Sequence, residues 1–224
     1  MSDFRGRTIV VRVDEASIVG TTLFSDIAFL QERDVRPIVV APHAEVARTF
    51  VGVMNRTTDA AVGLRGADAG MIPAAGASIG AIQTRLLETL TRSGYIPVIE
   101  PTALALGGGD VELPVDEVAR AIAEATEAWR MILFDRSGGV IDAETQKVID
   151  ELTPAEALLL AESGQLPRAL AAAIRAAAHG VRGGVGAAQI VDGRIAHATI
   201  VEFVTARHIG TQVAGTVYLC SASP

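Results

Sequence analysis

The sequence has few of the residues that stabilise secreted or membrane-bound proteins. It contains one cysteine, Cys220, so an intrachain disulfide is excluded and a reducing compartment is favoured. We interpret Cys220 as a small buried apolar residue. No apolar run approaches the roughly 18 residues that a bilayer span needs, and the opening MSDFRGR has no apolar signal region. These absences predict a cytoplasmic protein that does not interact with membranes.

Positive charge is also scarce. The 224 residues carry 19 Lys and Arg against 26 Asp and Glu, a formal net charge of −7. Broad contacts with nucleic acids or anionic membranes need clustered basic residues. The one arginine-rich stretch, residues 168–182, is interpreted as the exposed face of an alanine-rich helix. The charge balance therefore predicts that nucleic acids are not partners.

Aromatic residues make up only 4% of the chain, although half of it is hydrophobic. The core must therefore consist of Ala, Val, Ile and Leu, which suits strands covered on both faces. Short β-branched runs alternate with amphipathic segments, and this pattern predicts an α/β fold with an open, mainly parallel sheet sandwiched by helices. The predicted strands are Thr8–Val13, Pro37–Ala41, Ala61–Leu64, Ile96–Ile99, Met131–Phe134, Ala187–Val191 and Gln212–Leu219.

One helix has both of its ends encoded locally. Thr153 is the predicted N-cap, Pro154 takes the first helical position, and Glu156 closes a capping box. Gly164 is the predicted terminator. These signals predict a helix from residue 154 to about residue 163.

Several phrases of the sequence follow one another in a recognisable order. They are PIVVAPHAEV, AVGLRGADAGMI, LLETLTRSGYIPVIEP, ELTPAEALLLAESGQLPRAL, DGRIAHATIVEFVT and HIGTQV. Together they resemble the amino-acid kinase family, most closely acetylglutamate kinases, over nearly the whole chain. The resemblance implies a three-layer, carbamate kinase-like fold. It also implies one domain over residues 1–224, with a smaller acceptor-side lobe (1–105) and a nucleotide-side lobe (106–224).

The resemblance further implies ATP and Mg as cofactors and transfer of the γ-phosphoryl group to a carboxylate. Such chemistry depends on lysines and on backbone N–H groups in glycine turns. The first strand of these kinases ends in a motif like K-x-G-G, where this chain has Arg12, Val13, Asp14 and Glu15. A guanidinium does not replace an ammonium group directly. The two carboxylates bring negative charge to the position of a phosphate. Their side chains also prevent the close approach of a phosphate to the backbone, which glycine permits.

The second strand also departs from the family pattern. A glycine cluster is expected there, but the chain has Pro42, which lacks an N–H donor, followed by His43. The family's arginine hairpin for the substrate carboxylate is not found, because the chain passes almost directly into the helix holding Asn55. The family asparagine before the next helix is replaced by Pro114, which leaves Asp116 nearby.

Two basic positions and one acidic position are partly retained. Asp135 resembles the aspartate that organises the two lysines, although an extra residue in its loop allows the same alignment for Arg136. Arg168 stands where the second lysine is expected. By resemblance, Arg12, Asp135 and Arg168 are the candidate catalytic residues, and together with Arg136 they are the candidate nucleotide-binding residues.

Three functional hypotheses follow from these residues. The first is a kinase-derived pseudoenzyme with a regulatory, scaffolding or ligand-binding role, which acts as a homo-oligomer joined through its sheet or with an active kinase paralogue. The second is an active kinase for an amino-acid-derived carboxylate in arginine-type biosynthesis. The third is a metal or small-molecule binder. Its crevice would be lined by Asp14, Glu15, His43, Asn55 and Asp116, at the strand ends where open α/β sheets bind ligands.

The segment near the C-terminus suggests an effector. EFVTARHIGTQV resembles the arginine-binding segment of arginine-sensitive acetylglutamate kinases, and Glu202 and Gly210 stand at its contact positions. His197 and His208 lie in the same region. We interpret both histidines as capping or surface residues, since no nucleophile or metal-ligand spacing surrounds them.

Overall fold

The computed structural model describes residues 4–19, 22–76, 78–204 and 209–215, without the side chains of 202–204. The predictions for His208 and Cys220, and the later part of the predicted strand Gln212–Leu219, lie outside the described residues. The side chain of Glu202 lies outside them as well. The predictions for these positions are not tested by the structure.

Strands and helices alternate along the described chain. The strands are β1 (Thr8–Arg12), β2 (Arg36–Val40), β3 (Ala61–Arg65), β4 (Pro73–Ala75), β5 (Ser78–Ile79), β6 (Ile96–Glu100), β7 (Thr102–Ala105), β8 (Asp110–Glu112), β9 (Arg130–Phe134), β10 (Glu151–Leu152), β11 (Ala188–Val191) and β12 (Thr211–Val213). The helices are α1 (Leu23–Glu32), α2 (Ala44–Met54), α3 (Arg85–Arg92), α4 (Val115–Ala125), α5 (Pro154–Glu162), α6 (Arg168–Arg182) and α7 (Ala198–Val204).

Eight strands form one sheet in the order β10-β12-β11-β9-β1-β2-β6-β3. The pairs are parallel except β11 with β12. β1 therefore lies between β2 and β9, and the carboxyl ends of the parallel strands meet along one border, which we call the carboxyl edge. The strand order reverses around β1, and in open α/β sheets ligands bind at such a reversal.

Helices cover both faces of this sheet. Side chains alternate along β1, so that Val10 packs with α3, α4, α5 and α6, whereas Ile9 and Val11 pack with α1, α2 and α7. Both clusters consist mainly of aliphatic residues that are fully buried. The predicted fold, a mainly parallel sheet sandwiched by helices, is confirmed. The predicted division at residues 105 and 106 stays a prediction.

The predicted strands of the main sheet differ from the observed ones by one residue at most at each end, except that the predicted strand Gln212–Leu219 continues over residues 214 and 215, where β12 has already ended. The sequence did not predict a second sheet, in the order β5-β4-β7-β8, or the short strand β10. These strands have two to four residues each. A strand that short is too brief to show an alternating pattern, and its pairing is decided by distant partners.

The predicted capping box of α5 is confirmed. The Thr153 hydroxyl accepts the backbone N–H of Glu156, and the Glu156 carboxylate accepts the backbone N–H of Thr153 at 2.8 Å. Pro154 opens the helix, and Gly164 adopts a φ of 72° just beyond its end. The last value is a left-handed conformation that glycine adopts without a steric penalty.

We expect Thr153→Ala to lower the free energy of unfolding by about 1 kcal/mol, because the first turn of α5 loses its cap. Urea unfolding followed by circular dichroism measures the change. Thr89→Ala, an exposed site within α3, is the matched control and should change stability by less than about 0.5 kcal/mol. Equal losses in the two variants would contradict the assignment of the cap.

Candidate functional site

The turn after β1 is closed on itself by side chains. The backbone N–H of Asp14 donates to the Ser17 hydroxyl at 3.1 Å, and the backbone N–H of Ser17 donates to the Asp14 carboxylate at 2.8 Å. The Ser17 hydroxyl in turn donates to the Asp14 carbonyl at 2.8 Å. Both amide donors therefore have partners within the turn. In a glycine turn of a phosphate-binding protein, such donors would face the ligand.

The loop after β11 packs directly against this turn. A Cβ added to Gly193 would lie 2.5 Å from Cβ of Ser17, so glycine is required for the close approach. Arg194 binds Asp192 in a bidentate ion pair, with a shortest distance of 2.6 Å, and this lowers the pKa of Asp192 chiefly through the hydrogen bond. Asp14 also acts electrostatically on Arg194. Sequence reasoning missed Arg194, although its ion-pair partner Asp192 is only two residues away; the turn at Asp14 comes from a distant part of the chain.

Arg12 lies almost fully buried at the end of β1. Its Nε atom lies 2.8 Å from Oδ1 of Asp116, the second residue of α4, and its Nη1 donates to the carbonyl of Phe134 at the end of β9. Among the described residues, neither Nε nor Oδ1 has an aligned hydrogen-bond partner. The contact between them is therefore an ion pair held by charge. It joins β1, β9 and α4 at one point of the carboxyl edge.

Burial raises the pKa of Asp116, because loss of solvent disfavours the charged carboxylate. Arg12 opposes this rise, and the nearby Asp135 adds to it. The resemblance assigns the role of organising the basic residue to Asp135, but the structure places Asp116 beside Arg12. The carboxylate of Asp135 instead accepts the N–H and hydroxyl of Ser137, at 2.9 and 2.6 Å.

Glu15 and His43 meet across the crevice, as predicted for the ends of β1 and β2. The imidazole Nε2 lies 3.0 Å from the Glu15 carboxylate, and both side chains are exposed. Asp14 does not join them, since its carboxylate is used by Ser17. In the described part of the chain, no group of three or more His, Cys, Asp or Glu residues could hold a metal ion. The crevice residues thus do not form the predicted metal site.

Two predicted ligand residues have structural roles elsewhere. Asn55 is the C-cap of α2, and its amide group bonds both the carbonyl and the N–H of Ala61 at the start of β3. This is the opposite border of the sheet, so the placement of Asn55 in the crevice was wrong. Gly210 has a φ of 82°, and an added Cβ would lie 2.0 Å from the Ile190 carbonyl oxygen. Tight packing therefore explains why glycine is needed at position 210, and contact with an effector is not required as an explanation.

The other predicted basic residues are exposed. Arg168 is the first residue of α6, and Arg136 follows β9, where it acts electrostatically on Asp192. The only lysine in the sequence is Lys147, and it is exposed in the loop between β9 and β10. No lysine is therefore available at the end of β1 or at the start of α6.

Between β2 and β3 the described chain contains α2 and no hairpin.

A buried acid in α1 was also missed by sequence reasoning. Asp26 is 1% exposed and lies 2.8 Å from Nδ1 of His197, while the backbone N–H of His197 donates to the Thr22 hydroxyl at 2.6 Å. Burial raises the pKa of Asp26, and His197 opposes this rise. His197 is exposed and immediately precedes α7, which confirms its interpretation as a capping or surface residue, and it also anchors the loop after β11 to α1. The two residues are 171 positions apart, so no local pattern indicates the contact.

The fold defines a three-layer α/β protein in which charged side chains gather at the end of β1. The model of the amino acid kinase family matches residues 30–185, so the chain belongs to the amino acid kinase family. Acetylglutamate kinase from Rhizorhabdus wittichii is 37% identical over 132 residues, which is 59% of this chain and 44% of that protein. Acetylglutamate kinase from Acinetobacter baumannii is 30% identical over 188 residues, 75% of this chain and 62% of that protein. The chain thus spans about half the length of these relatives.

Two solved structures show the same fold. N-acetylglutamate synthase from Neisseria gonorrhoeae, complexed with coenzyme A and N-acetyl-glutamate, has a TM-score of 0.82 at 19% identity, over 96% of this chain and 61% of that one. Carbamate kinase from Giardia lamblia bound to AMP-PNP has a TM-score of 0.67 at 11% identity, over 94% and 99%. At these identities the similarity shows the fold alone.

No helix in the described residues is long and apolar enough to span a membrane.

We expect the stability of the wild type, relative to Asp26→Asn, to fall as the pH rises. The folded protein holds the Asp26 proton more tightly than the unfolded chain, in which an aspartate has a pKa of about 3.9. The stabilising contribution of the proton is complete below that value and is lost as the pH rises through the raised pKa of Asp26. Urea unfolding at pH values between about 2 and 7 measures this difference, so that the range extends below and above the unfolded pKa.

Asp142→Asn is the matched control, because the pKa of Asp142 is shifted in the opposite direction to that of Asp26. The backbone N–H of Thr145 donates to the exposed Asp142 carboxylate at 2.6 Å and lowers its pKa. The contribution of Asp142 is therefore present above the unfolded pKa and is lost as the pH falls through the lowered one. For each variant, the measured quantity is the difference in unfolding free energy between the wild type and that variant. If these two differences changed with pH in the same direction, the assignment for Asp26 would be contradicted.

Proposed function

We propose that this member of the amino acid kinase family has lost efficient phosphoryl transfer and acts as a ligand-binding pseudoenzyme. Its role would be to regulate or scaffold through the crevice at the end of β1. The observation that carries the proposal is the turn after β1. There the backbone N–H of Asp14, a position where the resemblance places glycine, is bonded to the Ser17 hydroxyl, and the Asp14 carboxylate accepts the backbone N–H of Ser17.

The charges in the crevice support the same proposal. Arg12 is occupied by Asp116 and by the carbonyl of Phe134, and Glu15 and His43 are paired with each other. Stabilisation of a transferring phosphoryl group requires donors and cations already aimed at the developing charge. Loss of a single donor of this kind lowers the rate by about 10²–10³-fold. ATP with Mg therefore does not fit this turn as phosphoryl donor.

A second candidate function is an active kinase for an amino-acid-derived carboxylate. The position of Arg12 favours it, because a positive charge is retained at the end of β1, where the resemblance places a lysine. Arg168 at the start of α6 would supply a second positive charge near bound ATP. The names of the relatives agree with this candidate.

We further propose a cytoplasmic protein that acts as a homo-oligomer or with an active kinase paralogue. The cytoplasmic location is supported by the single cysteine. The partner proposal is supported by β3, which borders the eight-stranded sheet and pairs with β6. A border strand offers backbone groups to another chain. Size measurement by analytical ultracentrifugation, alone and with the paralogue, tests both forms.

We expect ADP formation from Mg-ATP and N-acetyl-L-glutamate at least about 10²-fold slower than with the Acinetobacter baumannii acetylglutamate kinase assayed in parallel. Calorimetric titration of the same samples with Mg-ATP and with N-acetyl-L-glutamate separates binding from turnover. Ligand binding without turnover is the result that the pseudoenzyme proposal requires. Steady, acetylglutamate-dependent ADP formation that Arg12→Ala abolishes would overturn it in favour of the kinase.

A further inference from the structure

A polar groove lies at the amino border of the eight-stranded sheet, the border at which the parallel strands begin. Thr8 and Arg36, the paired first residues of β1 and β2, line a cavity of about 320 Å³ beside α3 and α4. A second cavity of about 440 Å³ adjoins it, and the two share Arg36, Thr91 and Arg92. We call the two cavities together the amino groove. Four residue steps along β1, about 13 Å, separate Thr8 from Arg12, so the groove is remote from the crevice.

Three helices, α1, α3 and α4, end at this groove, and all three end in a Schellman motif. In this motif an N–H just beyond the helix bonds to a carbonyl five positions earlier, and the residue before that N–H adopts a left-handed conformation that glycine favours. Gly94 takes this position after α3, with a φ of 82°. Asp34 and Glu127 take it after α1 and α4, with φ values of 64° and 48°. The bonds run from the N–H groups of Val35, Tyr95 and Ala128 to the carbonyls of Leu30, Leu90 and Ala123.

Two local preferences disfavour the glutamate at the end of α4. A left-handed φ is sterically unfavourable for a residue with a Cβ, and glutamate is not among the residues that adopt it readily, as aspartate is. The carboxyl end of a helix also carries a partial negative charge, which repels a carboxylate. Among the described residues, the Glu127 side chain has no hydrogen bond or ion pair that would offset these costs. Stability therefore does not explain why this position carries an acid.

Arg36 brings the opposite charge to the same cavity. It is half-buried, and its guanidinium likewise has no hydrogen-bond or ion-pair partner among the described residues. Glu88 and Arg92 also line the cavity, but they pair with each other at 3.2 Å, and the other oxygen of Glu88 accepts the Thr84 hydroxyl at 2.7 Å. The cavity thus contains one cation and one anion that are left without a partner and do not pair with each other.

We propose that the amino groove binds a small zwitterion, whose anionic group bonds to Arg36 and whose cationic group bonds to Glu127. A ligand carboxylate would form a charge-assisted hydrogen bond with the guanidinium. A ligand ammonium group would be attracted by the Glu127 carboxylate and by the negative end of α4. A ligand with a single charge would leave one of the two protein groups without a partner. The site goes beyond the proposed function, which concerns the crevice at the opposite border of the sheet.

The test is a calorimetric titration with glycine, β-alanine and 4-aminobutyrate, in which the two charges are successively further apart. At least one of them should bind with a Kd below about 1 mM. Acetate and methylammonium, each with only one of the two charges, should bind at least about tenfold more weakly. Arg36→Gln and Glu127→Gln should each weaken binding of the zwitterion at least about tenfold, because one charge-assisted contact is lost.

Glu127→Gly separates binding from stability. Glycine adopts the left-handed conformation without a steric penalty, so this variant should have a Tm about 2–4 °C above that of the wild type. It should nevertheless bind the zwitterion as weakly as Glu127→Gln. A purely structural glutamate would instead leave binding unchanged when it is replaced. If Arg36→Gln does not fold, as judged by thermal unfolding, Glu127→Gly decides.

Matched controls carry the same changes away from the groove. Arg48→Gln removes an exposed arginine from α2, and Glu162→Gln removes an exposed carboxylate from the end of α5. Both should bind the zwitterion like the wild type.

The inference is overturned if none of the three zwitterions binds, if acetate or methylammonium binds as tightly as they do, or if the folded variants of Arg36 and Glu127 bind like the wild type. These outcomes are separate from the failure of the proposed function. The titration contains neither nucleotide nor N-acetyl-L-glutamate. Steady ADP formation would refute the pseudoenzyme and would leave the result for the amino groove unchanged.

Discussion

The ion pair between Arg12 and Asp116 is the contact on which the crevice depends. A guanidinium that is almost completely removed from solvent needs a compensating charge, and Asp116 supplies it from the first turn of α4. The same guanidinium bonds the carbonyl that ends β9. The end of β1, the end of β9 and the start of α4 are thereby held at one point. Removing either partner would leave a buried charge without compensation.

The residues next to this pair are also bonded within the protein. Arg12 is engaged by the protein, and the other groups at the end of β1 also bond to one another. Asp14 and Ser17 close the turn, and Glu15 pairs with His43. In a phosphoryl-transferring site the ligand completes such interactions. Here the protein completes them, and this physical difference separates the crevice from the one that the resemblance implies.

Long-range contacts explain most of what sequence reasoning missed. Asp26 and His197 are ordinary residues in their own segments, and they meet because the loop after β11 lies over the start of α1. Asp116 could be named as a crevice residue, but its partner Arg12 lies more than a hundred positions away. Asn55 was misplaced because its helix ends at the other border of the sheet. In each case the backbone path of the whole sheet decides which side chains become neighbours.

The sequence by itself determined the fold class, the main strands and the cap of α5. Runs such as IVV and ILF bury both faces of a strand, and the capping box of Thr153 and Glu156 closes within four residues. Only the tertiary structure decided the second sheet and the contacts between charged groups of distant segments, such as Arg12 with Asp116. Periodicity and capping are local properties. The compensation of buried charge depends on groups that the chain brings together from distant segments.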